Sequence, residues 1–225
     1  MNRTLVVSPH PDDAEIGCGG MIARLLSKTL CSVAIAVCTG EGDLNMLHSG
    51  ATVPFSTRRK EQENAAEALG GADLRWLGLA PASKFDCMPQ SDFVSAFDAL
   101  FDQFDTVVLP LPSYNDDHVR VWQAGLAAFR PGRLRNVTLL AYEQPNANCL
   151  GPQIQGMFGK RYVPLNGGHL LAKTQAIACH ASQMNGRENS IYGKSGAETH
   201  AVLRGSEIGH PFAELLYVVR EIVVI

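Results

Sequence analysis

The chain is predicted to be an α/β protein, a mostly parallel sheet with helices on both faces. Apolar runs such as Thr4–Val7, Cys31–Cys38 and Thr106–Leu111 read as buried strands and alternate with segments of helical pattern. Two polar turns, 8–13 and 112–118, each directly follow such a strand. The ends of strands are where open α/β sheets place their ligands.

Taken in order, Thr4–Val7 is the first strand and Met21–Leu26 has a helical pattern. Cys31–Cys38 is the second strand. It runs into a Gly-rich turn with Glu41 and Asp43, and a polar loop containing His48 that extends to about Ser56. A loop of that length in a compact domain is usually a lid or binding loop. Arg58–Leu69 has helical composition and is stopped by Gly70-Gly71. Leu74–Leu77 is a short strand and 81–90 a loop. Phe93, Phe97, Leu100, Phe101 and Phe104 form a core-facing helical stripe within Asp92–Phe104. Thr106–Leu111 precedes the second polar turn, a helix follows from Val119 to Phe129, and Val137–Glu143 is a further strand. Residues 145–168, rich in Pro, Gly, Asn and Gln, read as an extended excursion. Helices near His169–Gln183 and Ala197–Arg204 and a closing strand, Leu215–Ile225, complete the chain. No linker divides it, so residues 1–225 are expected to form one domain, with a core of 1–144 and a C-terminal portion of 145–225.

Composition bounds the function. A net charge of −3 and a pI near 6.1 leave no basic stripe for nucleic acid. The longest apolar run, Leu30–Cys38, is too short to span a bilayer. The chain opens almost directly into a strand, so no signal peptide is expected. Six cysteines are scattered without CxxC pairs, which points to the cytosol.

The chemistry concentrates in the two turns. A neutral imidazole and a carboxylate suit a divalent metal of zinc type, and His10 and Asp13, three apart, can aim at one point. Asp12 between them could stay free as a general base; alternatively Asp12 or Asp13 merely caps the following helix. In the second turn His118 could complete a His, Asp, His ligand set with positions open for water and substrate. Asp117 could orient an imidazole, and the Asn115 amide could donate to a developing oxyanion. The bland alternative is an Asx turn and helix cap with His118 solvated.

Pro9-His10-Pro11-Asp12-Asp13-Ala14-Glu15-Ile16-Gly17-Cys18-Gly19-Gly20 resembles the signature of the PIG-L/LmbE-type zinc-dependent N-acetylglucosaminyl deacetylases. Asn115-Asp116-Asp117-His118 is similar to that family's second motif, with Asn where many members carry His. Weaker matches follow in family order: Arg58-Arg59-Lys60-Glu61 leading to Leu69-Gly70, Tyr142-Glu143, Ser182-Gln183, and Arg204-Gly205 before Ala213-Glu214. The resemblance implies a Rossmann-like fold, one zinc on His10, Asp13 and His118, and Asp12 as the base that deprotonates the metal-bound water. It implies hydrolysis of the N-acetyl group of an amino-sugar small molecule to acetate and a free amine, with Arg58 at a position near the substrate; the alternative for Arg58 is an exposed helical arginine with no special role. Iron(II) is the alternative metal, since two imidazoles and a carboxylate admit several.

Asn115 cannot supply a proton near neutral pH, so Asp12 is expected to serve as both base and acid. Gly17-x-Gly19-Gly20 fails the dinucleotide fingerprint; its glycines are expected to permit close helix packing. His48, His169, His180, His200 and His210 are expected to be structural or solvated, and Trp76 and Trp122 to be core residues. The rival readings are a metal-dependent hydrolase of another amide or ester and a non-catalytic binding protein on the same fold. A receiver-type signalling module fails for want of an Asp after the third strand and a Lys after the fifth. Loops 41–57, 81–90 and 145–168 are expected to set substrate choice, and the last could equally build a homo-oligomer interface.

Overall fold

The computed structural model describes residues 2–45, 51–81, 84–130, 132, 136–145, 158–187 and 189–221. Its centre is a seven-stranded sheet built from β1 (Asn2–Ser8), β2 (Cys31–Thr39), β5 (Asp73–Ala80), β6 (Thr106–Pro110), β7 (Thr138–Tyr142), β8 (Gly159–Leu165) and β9 (Phe212–Arg220). The order across the sheet is β5-β2-β1-β6-β7-β9-β8. The first five pair in parallel, whereas β9 is antiparallel to both β7 and β8. Two short strands, β3 (Leu44–Asn45) and β4 (Thr52–Val53), form a separate hairpin.

The helices are α1 (Asp13–Leu26), α2 (Phe55–Ala68), α3 (Gln90–Leu100), α4 (Asp116–Ala128), α5 (Gly167–Cys179), α6 (Ala181–Met184) and α7 (Lys194–Ser206). None is long and apolar enough to cross a membrane. Side chains alternate across a strand, so β1 feeds both faces. Leu5 and Val7 join a core with Phe93, Phe97, Phe101 and Trp122. Val6 joins the opposite core, with Ile22, Ala65 and Leu69. The expected two-faced, mostly parallel architecture holds, and the Phe stripe is core: Phe97 and Phe101 stack with ring centres 5.0 Å apart.

Several boundaries differ from expectation. The first helix starts at Asp13, not Met21, because Asp12 turns the chain through a left-handed conformation (φ 107°) directly into it. Cys18 then interrupts α1 with non-helical angles. The interruption frees backbone amides, and Glu214 of β9 accepts from Gly20 N at 2.9 Å and Met21 N at 2.6 Å. Lys173 Nζ, 2.6 Å from Glu214 Oε1, balances that buried carboxylate. The excursion 145–168 contains a strand, β8, whose polar composition and Pro164 conceal it; as an outer strand it tolerates a residue without an N–H. The helix expected over His169–Gln183 breaks at His180 into α5 and α6. The loop expected up to Ser56 carries β3 and β4, and α2 already begins at Phe55. His48, Cys149 and the rest of 146–157 lie outside the described residues, as does the end of the expected last strand.

The other motif matches fall into contacts between elements. Arg204 Nε and Nη2 each meet a Glu143 carboxylate oxygen at 2.7 Å. Glu61 of α2 accepts from Ser182 N at 2.7 Å and Ser182 Oγ at 2.6 Å. The motif glycines serve packing, as expected. A Cβ on Gly17 would overlap the ring of Tyr142, and one on Gly20 would overlap Leu165.

Candidate metal centre

Strand order reverses at β1, which has β2 on one side and β6 on the other. The turns leaving β1 and β6 therefore open side by side at the carboxyl edge of the sheet, and these are the two polar turns. Ser8 ties the first turn: its Oγ donates to His10 O at 2.6 Å and accepts from Ala14 N at 3.1 Å. Asn115 caps α4, its Oδ1 accepting from Asp117 N at 3.0 Å. That cap presents His118 in the first turn of α4, facing the first motif. The helix-cap alternative is thus present together with the cluster and does not replace it: Asn115 uses its oxygen for the cap, and its amide nitrogen is not part of it.

His10, Asp13 and His118 each offer one ligand atom, and these atoms lie within 4.8 Å of one another. Asp13 is the hub. Its Oδ2 accepts from His10 N at 2.8 Å and stands 3.2 Å from His10 Nδ1, and its Oδ1 is 3.3 Å from His118 Nε2. Gln144, at the end of β7, donates to Asp13 Oδ1 at 3.1 Å. On the far side of the His10 ring, Nε2 is 2.7 Å from Asp117 Oδ2. A carboxylate behind an imidazole sets its tautomer and direction, which is the usual arrangement behind a ligating histidine. The donor set suits a divalent metal of zinc type. A buried His118 Nδ1 without a hydrogen-bond partner among the described residues marks the site as polar beyond what internal bonds satisfy.

Electrostatics follow from crowding charge in a buried place. Burial acts to lower the His10 pKa, but hydrogen bonds to Asp117 and Asp13 outweigh it and raise it to about 9. Burial acts to raise Asp13, but the two imidazoles hold it well below the usual carboxylate range. Asp12 is pushed up to about 6 by burial and by the Asp13 carboxylate, with Arg58, His180 and His10 pulling the other way. Adjacent carboxylates cannot both ionise cheaply, so their pKa values separate.

The cluster lies in a cleft of about 280 Å³ lined by His10, Asp12, Asp13, Arg58, Asn115 and His118, with Gln144 and Gln183. Ile16, Leu44, Ser113, Tyr114, Met184, Arg187 and Tyr192 complete its lining. Arg58 is almost fully buried; it donates to Pro11 O at 2.7 Å and stands 3.9 Å from Asp12 Oδ1. Every sequence-proposed site residue except Asp117 lines this cleft, and Asp117 touches it through His10. Of the remaining histidines described, His180 is wholly buried beside Glu15, His200 lies 3.4 Å from Glu143, and His169 completes a capping box with Asn166. Of the tryptophans, Trp122 is core and Trp76 only partly buried, edge-on to Phe55. Gln144 at the cluster was not anticipated. Its only signal in the sequence is that it follows Tyr142-Glu143 at a strand end.

The chain is similar to known proteins. The Escherichia coli (strain K12) protein named "Uncharacterized deacetylase YaiS" is 29% identical over 150 residues, 63% of this chain and 74% of that one. A Bacillus cereus protein named "Probable N-acetyl-alpha-D-glucosaminyl L-malate deacetylase 2" is 41% identical over 83 residues, 34% of this chain and 36% of its own length. The crystal structure of a zinc-inhibited form of teicoplanin deacetylase Orf2 shares the fold at TM-score 0.75 and 18% identity, covering 96% of this chain and 97% of its own. The PIG-L family, described as "GlcNAc-PI de-N-acetylase", matches residues 5–129, a span that holds both turns. With more than half of its length matched, this chain belongs to the PIG-L family of de-N-acetylases.

Proposed function

We propose that the chain is a cytosolic, zinc-dependent N-deacetylase acting as one unit over residues 1–225. Its substrate is an N-acetylated amino-sugar compound, and its products are acetate and a free amine. One observation carries the reading: His10 and Asp13 from one turn and His118 from another converge within 4.8 Å inside the family-matched segment. The substrate class follows the family description and the Bacillus cereus relative.

His10, Asp13 and His118 would hold the metal. Zinc there would act as a Lewis acid on the acetamide carbonyl and lower the pKa of water at the site. Asp12 stands beside these ligands and takes the proton of the attacking water. It then returns that proton to the departing nitrogen, which is a poor leaving group as an anion. Asp117 keeps His10 oriented through the 2.7 Å contact to Nε2. Asn115 gives its amide hydrogen to the oxyanion while its oxygen stays in the helix cap. Arg58 grips a hydroxyl or phosphate of the substrate from the cleft wall.

The test begins with metal content, by elemental mass spectrometry after zinc loading and dialysis. The wild-type chain should retain about one zinc and His118→Ala should lose it, as a three-ligand catalytic site requires. Acetate release from N-acetylamino sugars should then fall by roughly 10²–10⁴-fold in Asp12→Asn. Retention of no metal by either protein would overturn the hydrolase reading in favour of a binding protein.

A further inference from the structure

Asp12 is the one non-glycine residue with positive φ among the described residues, at 107°. Such a conformation is costly for a side-chain-bearing residue and persists only where its surroundings enforce it. The enforcing contacts come from α2. Gln62 is fully buried, and its Oε1 accepts from Asp12 N at 3.3 Å. Its Nε2 donates to Glu15 Oε1 at 2.6 Å. Glu15 is also fully buried, so its carboxylate fixes the flip of the Gln62 amide: nitrogen toward Glu15, oxygen toward Asp12. One helical turn earlier, Arg58 holds Pro11 O at 2.7 Å. Two consecutive backbone groups before α1 are thus gripped by two side chains of α2.

We infer that Gln62, oriented by Glu15, is a positioning residue that holds the Asp12 backbone so that its carboxylate faces the His10–Asp13–His118 cluster. The inference rests on the reading of Asp12 as the base. Gln62 touches no ligand atom, so it acts through Asp12 and leaves the metal ligands in place. A leucine at 62 has neither the acceptor for Asp12 N nor the donor for Glu15. The exchange Glu15→Gln with Gln62→Glu preserves the chain of bonds in reverse: a carboxylate oxygen accepts from Asp12 N, and an amide donates to it from position 15.

The experiment uses the full chain loaded with cobalt(II), whose visible absorption is titrated with pH, and it needs no substrate. If Asp12 is the base beside the metal, Asp12→Asn shifts or abolishes the inflection, by about one pH unit or more. Gln62→Leu is then expected to shift it in the same direction while cobalt affinity stays within about threefold of wild type. Adding Gln62→Leu to Asp12→Asn should add nothing, since the residue acts through Asp12. The exchanged pair should titrate like wild type.

A wild-type titration from Gln62→Leu, beside an altered one from Asp12→Asn, overturns the role of Gln62 alone. An unaltered titration from Asp12→Asn overturns the assignment of the base and this inference with it. Failure of the chain to bind cobalt removes both. Should Gln62→Leu fail to fold, the exchanged pair decides: a wild-type titration supports the inference, and an altered one overturns it.

Discussion

Asp13 makes more bonds than any other residue of the cluster, meeting His10, His118 and Gln144. Its neighbours in sequence do different work: Asp12 faces Arg58, and Glu15 is committed to Gln62. Three acids within four positions are thus sorted by the partner that each side chain reaches. Asp117 is the residue whose loss should be felt without touching the cluster's ligand atoms. Asp117→Asn should weaken zinc binding by roughly 10–100-fold in a chelator competition, the usual cost of removing the carboxylate behind a ligating histidine. An unchanged affinity would show that the 2.7 Å contact to His10 does no orienting work.

A second residue-scale prediction concerns pH. Burial, with Lys173 and Arg204 nearby, lowers the His200 pKa from 6.5 to about 4, against the pull of Glu214 and Glu207. Glu143, 3.4 Å away, is already committed to Arg204. The unfolded chain takes up a proton below pH 6.5 that the folded chain refuses until about 4. Stability is therefore lost as pH falls through that window. His200→Gln should remove on the order of 1–2 kcal/mol of the loss at pH 5, measured by urea denaturation at pH 5 and 7.5. Parallel pH curves for the two proteins would contradict it.

At the scale of elements, α1 carries the greatest demands. It begins on a strained residue, is interrupted at Cys18, and packs its glycines against Tyr142, Lys173 and Leu165. Gly17→Ala places a methyl group into the Tyr142 ring, whose hydroxyl is tied to Val7 O at 3.1 Å. The substitution should cost about 1–3 kcal/mol, the range for overpacking, read from the shift in urea midpoint. A neutral result would mean that Tyr142 has room to move. The glycines of 17–20 could be assigned to close packing, but not their partners, because Tyr142 and Leu165 are more than a hundred residues away. β8 carries no apolar signature because an outer strand needs no continuous apolar run: one edge has no partner strand among the described residues, so Lys160, Arg161 and Pro164 are tolerated.

For the whole molecule, two cores clamp one sheet. The core holding Leu5, Val7 and the phenylalanines lies beneath α3 and α4, the helix that begins with the second motif. Phe97→Ala removes a fully buried ring stacked on Phe101 and should cost about 3–5 kcal/mol in equilibrium unfolding. A cost below about 1 kcal/mol would mean that this layer is not the packed core described.

The strands that lie inside the sheet, the α/β class and the two clusters of chemistry-bearing residues are legible in the linear chain. These are local properties: a run of Val, Ile and Ala must be buried, and His10, Asp12 and Asp13 sit within one turn whatever the fold. It takes the folded chain to bring His118, over a hundred residues on, to 3.3 Å from Asp13. Folding also decides that Asp117 backs His10, that Gln144 joins the cluster, and that Gln62 and Arg58 grip the turn that presents Asp12. The physical reason is the reversal of strand order at β1, which sets the ends of β1 and β6 side by side. Strand order is a property of pairing between distant segments, and it carries no mark in either segment alone.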